Sequence, residues 1–575
     1  MIQYTFDAHY PNSQYIDIEL SFDVTQKQSI ELQLPSWRPG RYELGNFSKN
    51  IRGFSVSDQA GSALSYSKTS KDRWKLQVPA KGKVVVRYQY YANRLDAGSC
   101  WLDDEQMYVN PVHCCMYVVG REDEAIKLSI RYKHKYLAGT FEKRKGSEIS
   151  LRNFDHLADT PFIASKNIVH YTYTVSKKKY HIWIQGKTRL NQKKLLDHFK
   201  AFTEQQLMLF KSIPCKEYHF LIQATHHKFY HGVEHGASTV LAIGPAAELH
   251  KGDLYKELMG VASHELFHVW NVKNIRPKAM LPYDFARENY CELGFVYEGF
   301  TTYYGDLFLC RSGFFSTQSF LDELSVRLQK HMSNAGRFNY SVLQSSFDTW
   351  LDGYLPGAPY RKTSIYDEGS LIALALDLNI RLNSLQRYSL DDVVLELYRK
   401  FGLKKKGYEL KDIIEVCSNY YGVSMKQWFD AFVASPVSYI DELSRLLYYF
   451  GCAIEWRPNN NNLTSLIGIH YKTDKDEIRV LAIEYNSPAF KGGVMMEDVI
   501  QKINGKSPDD FLKLDIKNWI NKELRIQTIR NGRKVELKIM ADAQLYARQY
   551  KIVALKSTNA EQKENRNKWL GSLKS

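Results

Sequence analysis

His264-Glu265-Leu266-Phe267-His268 lies inside an apolar-periodic stretch, residues 254–272, of a 575-residue chain. At about 100° per residue, histidines four apart sit roughly 40° apart around a helix and one turn along it, so both imidazoles can reach one ion. Glu265 follows the first of them directly. Zinc takes neutral nitrogen ligands, keeps a fourth position open in catalytic sites and lowers the pKa of a bound water to about 7. A carboxylate one residue from a ligand can then accept the proton as water attacks a carbonyl. The competing reading is a surface helix that carries these letters by chance, and a third ligand decides between the two.

Three acidic residues follow at usable distances: Glu288, Glu292 and Glu298. Glu288 stands about twenty residues beyond His268, but it follows Pro282-Tyr283-Asp284 in a polar, loop-like stretch. Glu298 opens Glu298-Gly299-Phe300-Thr301-Thr302-Tyr303-Tyr304, which runs on into an apolar helical pattern. A ligand is better held on a packed helix than on a loop, which favours Glu298. Thr302 and Asn271 stand about one turn from Glu298 and His268 and are read as packing or capping residues, with a supporting role at the metal as the alternative.

Outward from this centre the texture changes twice. Residues 1–170 carry period-two runs (15–24, 29–34, 84–91) bounded by turn residues, which predicts an all-β domain. Helical periods follow at 193–212, 254–272, 320–333, 370–383 and 389–401, with an extended stretch at 218–242, giving a mainly helical catalytic domain over 171–438. After a helix near 440–450 the chain turns to short strands. Asn531-Gly532 between two alternating runs is a strong hairpin signal, because a type I′ turn needs positive φ at both central residues. The expected organisation is multidomain α+β, with a small β domain at 439–543 and a basic tail at 544–575 that lies beyond the last domain and is dispensable.

Lys and Arg number 78 against 63 Asp and Glu, a formal charge of +15. Nucleic acid is the first partner such a charge brings to mind. The basic residues are scattered, however, apart from short runs and the tail, which carries seven Lys or Arg against two Glu. No zinc finger or RNA-binding signature accompanies them, so neither nucleic acid nor a membrane is the expected partner. The eight cysteines form no C-x-x-C pair and suit a reduced, cytoplasmic protein. No cationic leader and no apolar run of about 18 residues is present, so no membrane span is expected.

The stretch 264–277, HELFHVWNVKNIRP, followed by Tyr297-Glu298-Gly299-Phe300-Thr301-Thr302-Tyr303-Tyr304, resembles the M61 glycyl aminopeptidase family of gluzincins. Leu34-Pro35-Ser36-Trp37-Arg38-Pro39-Gly40-Arg41-Tyr42 is similar to the signature of that family's N-terminal β domain. Residues 486–494 (NSPAFKGGV), with Asp498-Val499-Ile500 and Ile503-Asn504-Gly505-Lys506, are similar to a PDZ core. The resemblance implies a thermolysin-like catalytic domain, a PDZ-like domain at 439–543 and Zn2+ held by His264, His268 and Glu298. It also implies an aminopeptidase that prefers small N-terminal residues, Gly and Ala.

His231-Gly232-Val233-Glu234-His235-Gly236 resembles the family's G-G-L-E-H strand, with His231 in place of the first Gly. The resemblance gives Gly232 and Val233 the part of an edge that pairs with the peptide, and Glu234 the part of binding its free α-ammonium group. Without the resemblance Glu234 reads as a surface carboxylate. Tyr366-Asp367-Glu368-Gly369 is similar to the Y-x-K-G motif whose tyrosine stabilises the oxyanion in related gluzincins, although Glu368 replaces Lys; Tyr360 is the fallback. The implied enzyme hydrolyses peptides with a free N-terminus, Glu265 being the general base and Tyr366 the oxyanion donor. The alternatives are an endopeptidase, and a PDZ-type adaptor that binds a peptide ligand and keeps a vestigial peptidase. The carboxylate-binding loop of such an adaptor would fall near Tyr449-Phe450-Gly451-Cys452-Ala453.

Overall fold

The computed structural model describes residues 1–141, 144–145, 148–355, 357–474, 477–513 and 518–573. Among the described residues the first 165 build a β domain of three sheets, one seven-stranded and two four-stranded. The long strand Tyr15–Val24 pairs antiparallel with Gly82–Tyr91 from end to end, Tyr15 opposite Tyr91 and Val24 opposite Gly82. Its alternating Ile16, Ile18, Leu20 and Phe22 are buried, as the period-two pattern requires.

The next sheet starts the helical part. Five strands lie in the order Val169–Val175, Lys178–Gln185, Glu217–Ala224, Ser238–Gly244, Phe229–Glu234. The stretch 218–242, expected to be extended, thus supplies three of them. Phe229–Glu234 pairs on one side only, antiparallel to Ser238–Gly244, and so forms an edge. Helices Gln192–Phe210 and Gly252–Phe267 pack on the sheet, and helices Thr301–Arg311, Thr317–Ser333 and Asp367–Asn383 pack behind them and on one another. One continuous apolar core runs through both parts, from Tyr4 and Phe22 to Leu266, Phe300 and Leu376. The HELFH helix is shorter than its apolar period, ending at Phe267 before a run of turns that includes Asn271.

The C-terminal third is arranged differently from the expected domain-plus-tail. Helix Ile440–Tyr449 buries Leu443, Leu446 and Leu447 in the main core, and strand Cys452–Arg457 then leaves the body. Five strands between 469 and 540 form a separate sheet with its own core of Leu463, Ile478, Ile500, Ile526 and others. Its last hairpin has Arg530 opposite Arg533, with Asn531 at φ 49° and Gly532 at φ 76°, the left-handed pair that the turn chemistry demands. Strand Gln549–Ala554 then returns antiparallel beside Cys452–Arg457. The β module is therefore carried on a two-stranded ribbon. Residues 449–453, read as a carboxylate-binding loop, are the end of helix Ile440–Tyr449 and the start of that ribbon.

The basic stretch 544–575 is not an appended tail. After the returning strand, helix Ala560–Leu570 drives Trp569 fully into the main core, where its indole N–H donates to the Tyr303 hydroxyl at 2.8 Å. Tyr303 donates in turn to Asp377 at 2.6 Å, and Asp377 accepts from Arg381 at 2.8 Å. Arg381 and Arg311 also donate to the carbonyls of Lys568 and Trp569. Lys551, Lys556, Lys563 and Lys568 of this segment are exposed, while the inner face of its helix belongs to the catalytic body.

Candidate active site

Helix Gly252–Phe267 and the turn after it place Nε2 of His264 and His268 3.0 Å apart. Glu298 lies on a short π-helical stretch, Phe295–Phe300, that runs directly into helix Thr301–Arg311. Such one-turn π segments widen a helix locally and re-aim a side chain, and they recur at functional sites. Here the turn brings a Glu298 carboxylate oxygen to 3.4 Å from Nε2 of His268 and 3.8 Å from Nε2 of His264. Zinc bonds of about 2.0–2.2 Å at tetrahedral angles put ligand atoms roughly 3.3–3.6 Å apart. Two imidazoles and one carboxylate at these separations fit zinc with one position left for substrate or water. Glu288 lies in a loop and is not in this group.

Supporting contacts orient the donors. The Nδ1–H of His268 donates to the backbone carbonyl of Asn271 at 2.7 Å, which fixes the tautomer and leaves Nε2 free for a metal. The Asn271 side chain donates to Val296 O at 2.9 Å and to Thr301 Oγ1 at 3.2 Å, tying the histidine turn to the π segment. Thr302 donates to Glu298 O at 2.9 Å, a packing role. Gly299 and Gly369 face each other so closely that a Cβ on either would collide with the other's backbone. That contact seats the helix carrying Tyr366 against the turn carrying Glu298, and it explains the glycine in both motifs.

The edge strand passes over the same centre. A Cβ at Gly232 would meet the Glu265 carboxylate and Val261, so glycine lets the strand run this close to the base without displacing it. Val233 is buried beneath the strand. Glu234, at the strand's end, is 4% exposed, and its carboxylate, that of Glu265 and a ring nitrogen of His268 offer atoms within 4.8 Å of one another. One oxygen of Glu234 and one of Glu265 are buried without a hydrogen-bond partner. Buried carboxylate oxygens are ordinarily satisfied, so two orphans side by side mark a place shaped for a bound group. Asp159 anchors the strand's end, accepting from Gly236 N at 2.9 Å and Lys273 Nζ at 2.8 Å and pairing with His235.

Burial drives the Glu265 carboxyl well above the ordinary carboxylate range; His268 counteracts this, while Glu234 and Glu298 add to it. Burial pushes Glu298 the same way, but the attraction of His268 and then His264 prevails and holds it at about 2. Burial lowers His264 to about 4. In His268 burial opposes protonation, yet Glu298 prevails and raises it to about 10. Tyr366 is raised well above 10, by burial and then by Glu298, so its hydroxyl keeps its proton.

The N-terminal domain completes the site, which the motif search missed. Ser36 N–H and the Trp37 indole donate to the carbonyls of Phe285 and Asp284 at 2.7 Å, locking the segment 34–42 onto the catalytic body. Tyr42 then donates to Glu298 Oε1 at 3.2 Å, and Gly40, at φ 78°, lies directly against the Glu234 carboxylate. The segment was legible as a signature, but its sequence carries no hint that it reaches residues 200 positions on. Tyr354, 3.3 Å from the Tyr366 hydroxyl, was also missed. Tyr360, the fallback, donates instead to Ile483 O of the small β module at 3.0 Å. Glu368 is held by Nδ1 of His331 at 2.8 Å inside the core, which accounts for a carboxylate where the related motif has lysine.

A cleft of about 370 Å³, lined by Tyr230, Gly260, His264, Thr302 and Arg327 among others, opens onto the first histidine. A larger cavity of about 780 Å³ lies between helix Thr317–Ser333 and the ribbon, lined by residues that include none of the three donors; donor chemistry, not size, locates the site. His181, Glu217 and His219 also converge. There Trp183 donates to Nδ1 of His219 at 3.1 Å, which leaves the ring proton on Nε2 and takes that nitrogen out of metal coordination.

With this geometry in place, residues 3–166 match the Peptidase M61 N-terminal domain and residues 257–372 match M61 glycyl aminopeptidase. Together the two matches cover just under half of the chain. The chain is similar to an aminopeptidase N family protein from Idiomarina loihiensis, with TM-score 0.89 and 26% identity over 99% of this chain and 100% of that one. A variant M1 zinc metallopeptidase from Deinococcus radiodurans bound to a Tyr-Ser-Ala substrate aligns with TM-score 0.47 and 11% identity, over 76% of this chain and 94% of its own. None of the curated proteins matches the sequence. The metallopeptidase chain has, among its described residues, no helix long and apolar enough to cross a membrane.

Proposed function

We propose that the protein is a zinc aminopeptidase that removes single residues from the free N-terminus of peptides. The observation that carries this reading is the pair of buried, unpartnered carboxylate oxygens of Glu234 and Glu265 beside the two-histidine, one-glutamate donor set. His264, His268 and Glu298 would hold zinc, which would supply a Lewis acid for the scissile carbonyl and for the attacking water. The edge strand through Gly232 and Val233 aligns the peptide as an added strand. Glu234 holds its α-ammonium group and so places the first peptide bond over the centre. Glu265 takes the proton from the attacking water and passes it to the departing amine. Tyr366, which keeps its proton, donates to the carbonyl oxygen as that oxygen gains charge.

An endopeptidase would leave Glu234 without a cation, and an adaptor with a vestigial peptidase would have no use for either orphaned carboxylate. Gly and Ala at the N-terminus are the preference that the family resemblance supports. The β module on its ribbon, whose edge strand is Ile469–Asp474, is read as PDZ-like and as a secondary holder of peptides. All eight cysteines are free thiols and seven are buried, which suits work in the reducing cytoplasm. The test is metal analysis of the purified protein together with Glu265→Gln. One zinc per chain, and loss of Gly- and Ala-anilide hydrolysis in the variant at unchanged zinc content, is expected; hydrolysis that survives the substitution overturns the reading.

A further inference from the structure

Arg38 is a buried cation with no carboxylate of its own. It is 4% exposed; its Nη1 donates to the Pro39 carbonyl at 3.1 Å and its Nη2 to Nε2 of His231 at 3.2 Å. Among the described residues no carboxylate oxygen lies within ion-pair distance of it. Its nearby acids are engaged elsewhere: Asp96 pairs with Arg94 at 2.6 Å and accepts from Gly98 N, Ser99 N and Ser99 Oγ, and Glu43 pairs with Arg41. Buried charges in proteins are ordinarily paired, because desolvating an unpaired one costs several kcal/mol.

Its place in the site gives the arrangement meaning. Arg38 is two residues from Gly40, whose backbone abuts the Glu234 carboxylate, and it is hydrogen-bonded to His231 on the substrate strand, three residues before Glu234. Arg38 is thus tied both to the segment whose Gly40 abuts Glu234 and to the strand that ends in Glu234. Next to it is a cavity of about 410 Å³, lined by Arg38, Arg41, Lys49, Arg94, His113 and Asp96 among others. With Arg94 and Arg41 neutralised by their partners, Arg38 and Lys49 leave that cavity with an excess of positive charge.

We propose that Arg38 is a specificity-determining residue that accepts the side-chain carboxylate of an N-terminal Asp or Glu, extending the substrate class from small residues to acidic ones. A substrate of this kind carries one cation and one anion on the same residue, matched by Glu234 on one side and Arg38 on the other. An Arg–carboxylate contact in a desolvated site is charge-assisted and can be bidentate, which the amide of Asn or Gln cannot reproduce. Gly and Ala leave the subsite empty and forgo the contact. The inference rests on the aminopeptidase reading.

The test compares zinc-loaded full-length enzyme on Asp-, Asn-, Glu-, Gln- and Ala-anilides. The acidic member of each pair is expected to exceed its amide by about 10- to 100-fold in kcat/KM, and Arg38→Met should bring both ratios to near one. Free L-aspartate should inhibit the unsubstituted enzyme more strongly than L-asparagine, a readout that does not depend on whether the variant folds. If Ala-anilide is cleaved while acid and amide are cleaved equally and the two amino acids inhibit alike, the Arg38 subsite is overturned and the aminopeptidase reading stands. If no free amino-acid anilide is cleaved, or N-acetylated ones are cleaved as well, the aminopeptidase reading falls and the subsite with it.

Discussion

Glu234→Gln separates binding of the N-terminus from every other part of the site. The replacement keeps the shape of the side chain and one carbonyl oxygen but removes the charge. At a hydrogen-bond distance of about 2.8 Å and an effective dielectric of about 20, a carboxylate and an ammonium attract by roughly 6 kcal/mol. Part of that offsets desolvation of the ammonium, and truncating buried charge pairs typically costs 2–5 kcal/mol. A net loss of about 3 kcal/mol is expected, or roughly 150-fold in kcat/KM for peptides with a free N-terminus. N-acetylated peptides, which have no ammonium, should be cleaved no more slowly by the variant than by the parent. The free protein should also gain stability, since Glu234 is buried near Glu265 and has an oxygen with no partner. The assay is kcat/KM on matched free and acetylated peptides, alongside thermal unfolding. An equal loss on both substrates, or a fall in Tm, would refute the role given to Glu234.

Other expectations follow from the same geometry. Tyr366→Phe removes a hydroxyl that lies 3.3 Å from the Tyr354 hydroxyl, so Tm should hold while kcat drops about 100-fold; a changed KM at constant kcat in steady-state assays would contradict this. Trp569→Ala empties a fully buried site and strips the Tyr303 hydroxyl of a donor, a destabilisation of about 3–5 kcal/mol measurable by denaturant titration. Deleting residues 544–575 should abolish folding of the catalytic body; a truncated protein that stays folded and active would show that the C-terminal helix is dispensable.

The parts of the molecule that were legible in sequence are those whose signal is local. The HELFH spacing, the helical context that favoured Glu298 over Glu288, and the Asn531-Gly532 turn each depend on a few consecutive residues and simple geometry. Gly232 and Gly369 were quoted as motif letters, but their reason, a backbone pressed against Glu265 or against Gly299, exists only in three dimensions. The C-terminal helix was misread because its buried face is Gln562, Asn565, Trp569 and Leu570, two amides and two apolar residues, which gives no apolar stripe. The strand before it, Gln549–Ala554, pairs with Cys452–Arg457 across an entire inserted module. Tyr42 and Arg38 belong to a segment whose signature was visible, while its reach across the domain boundary to Glu298 and His231 was not.

The most direct test is a crystal structure of the zinc-loaded Glu265→Gln protein with a bound dipeptide, with the metal located by anomalous scattering. The expected result is one zinc about 2.0–2.2 Å from Nε2 of His264, Nε2 of His268 and an oxygen of Glu298, with the dipeptide's ammonium group on Glu234. Zinc bound instead at His181 and His219, or a peptide lying with its N-terminus away from Glu234, would contradict the account.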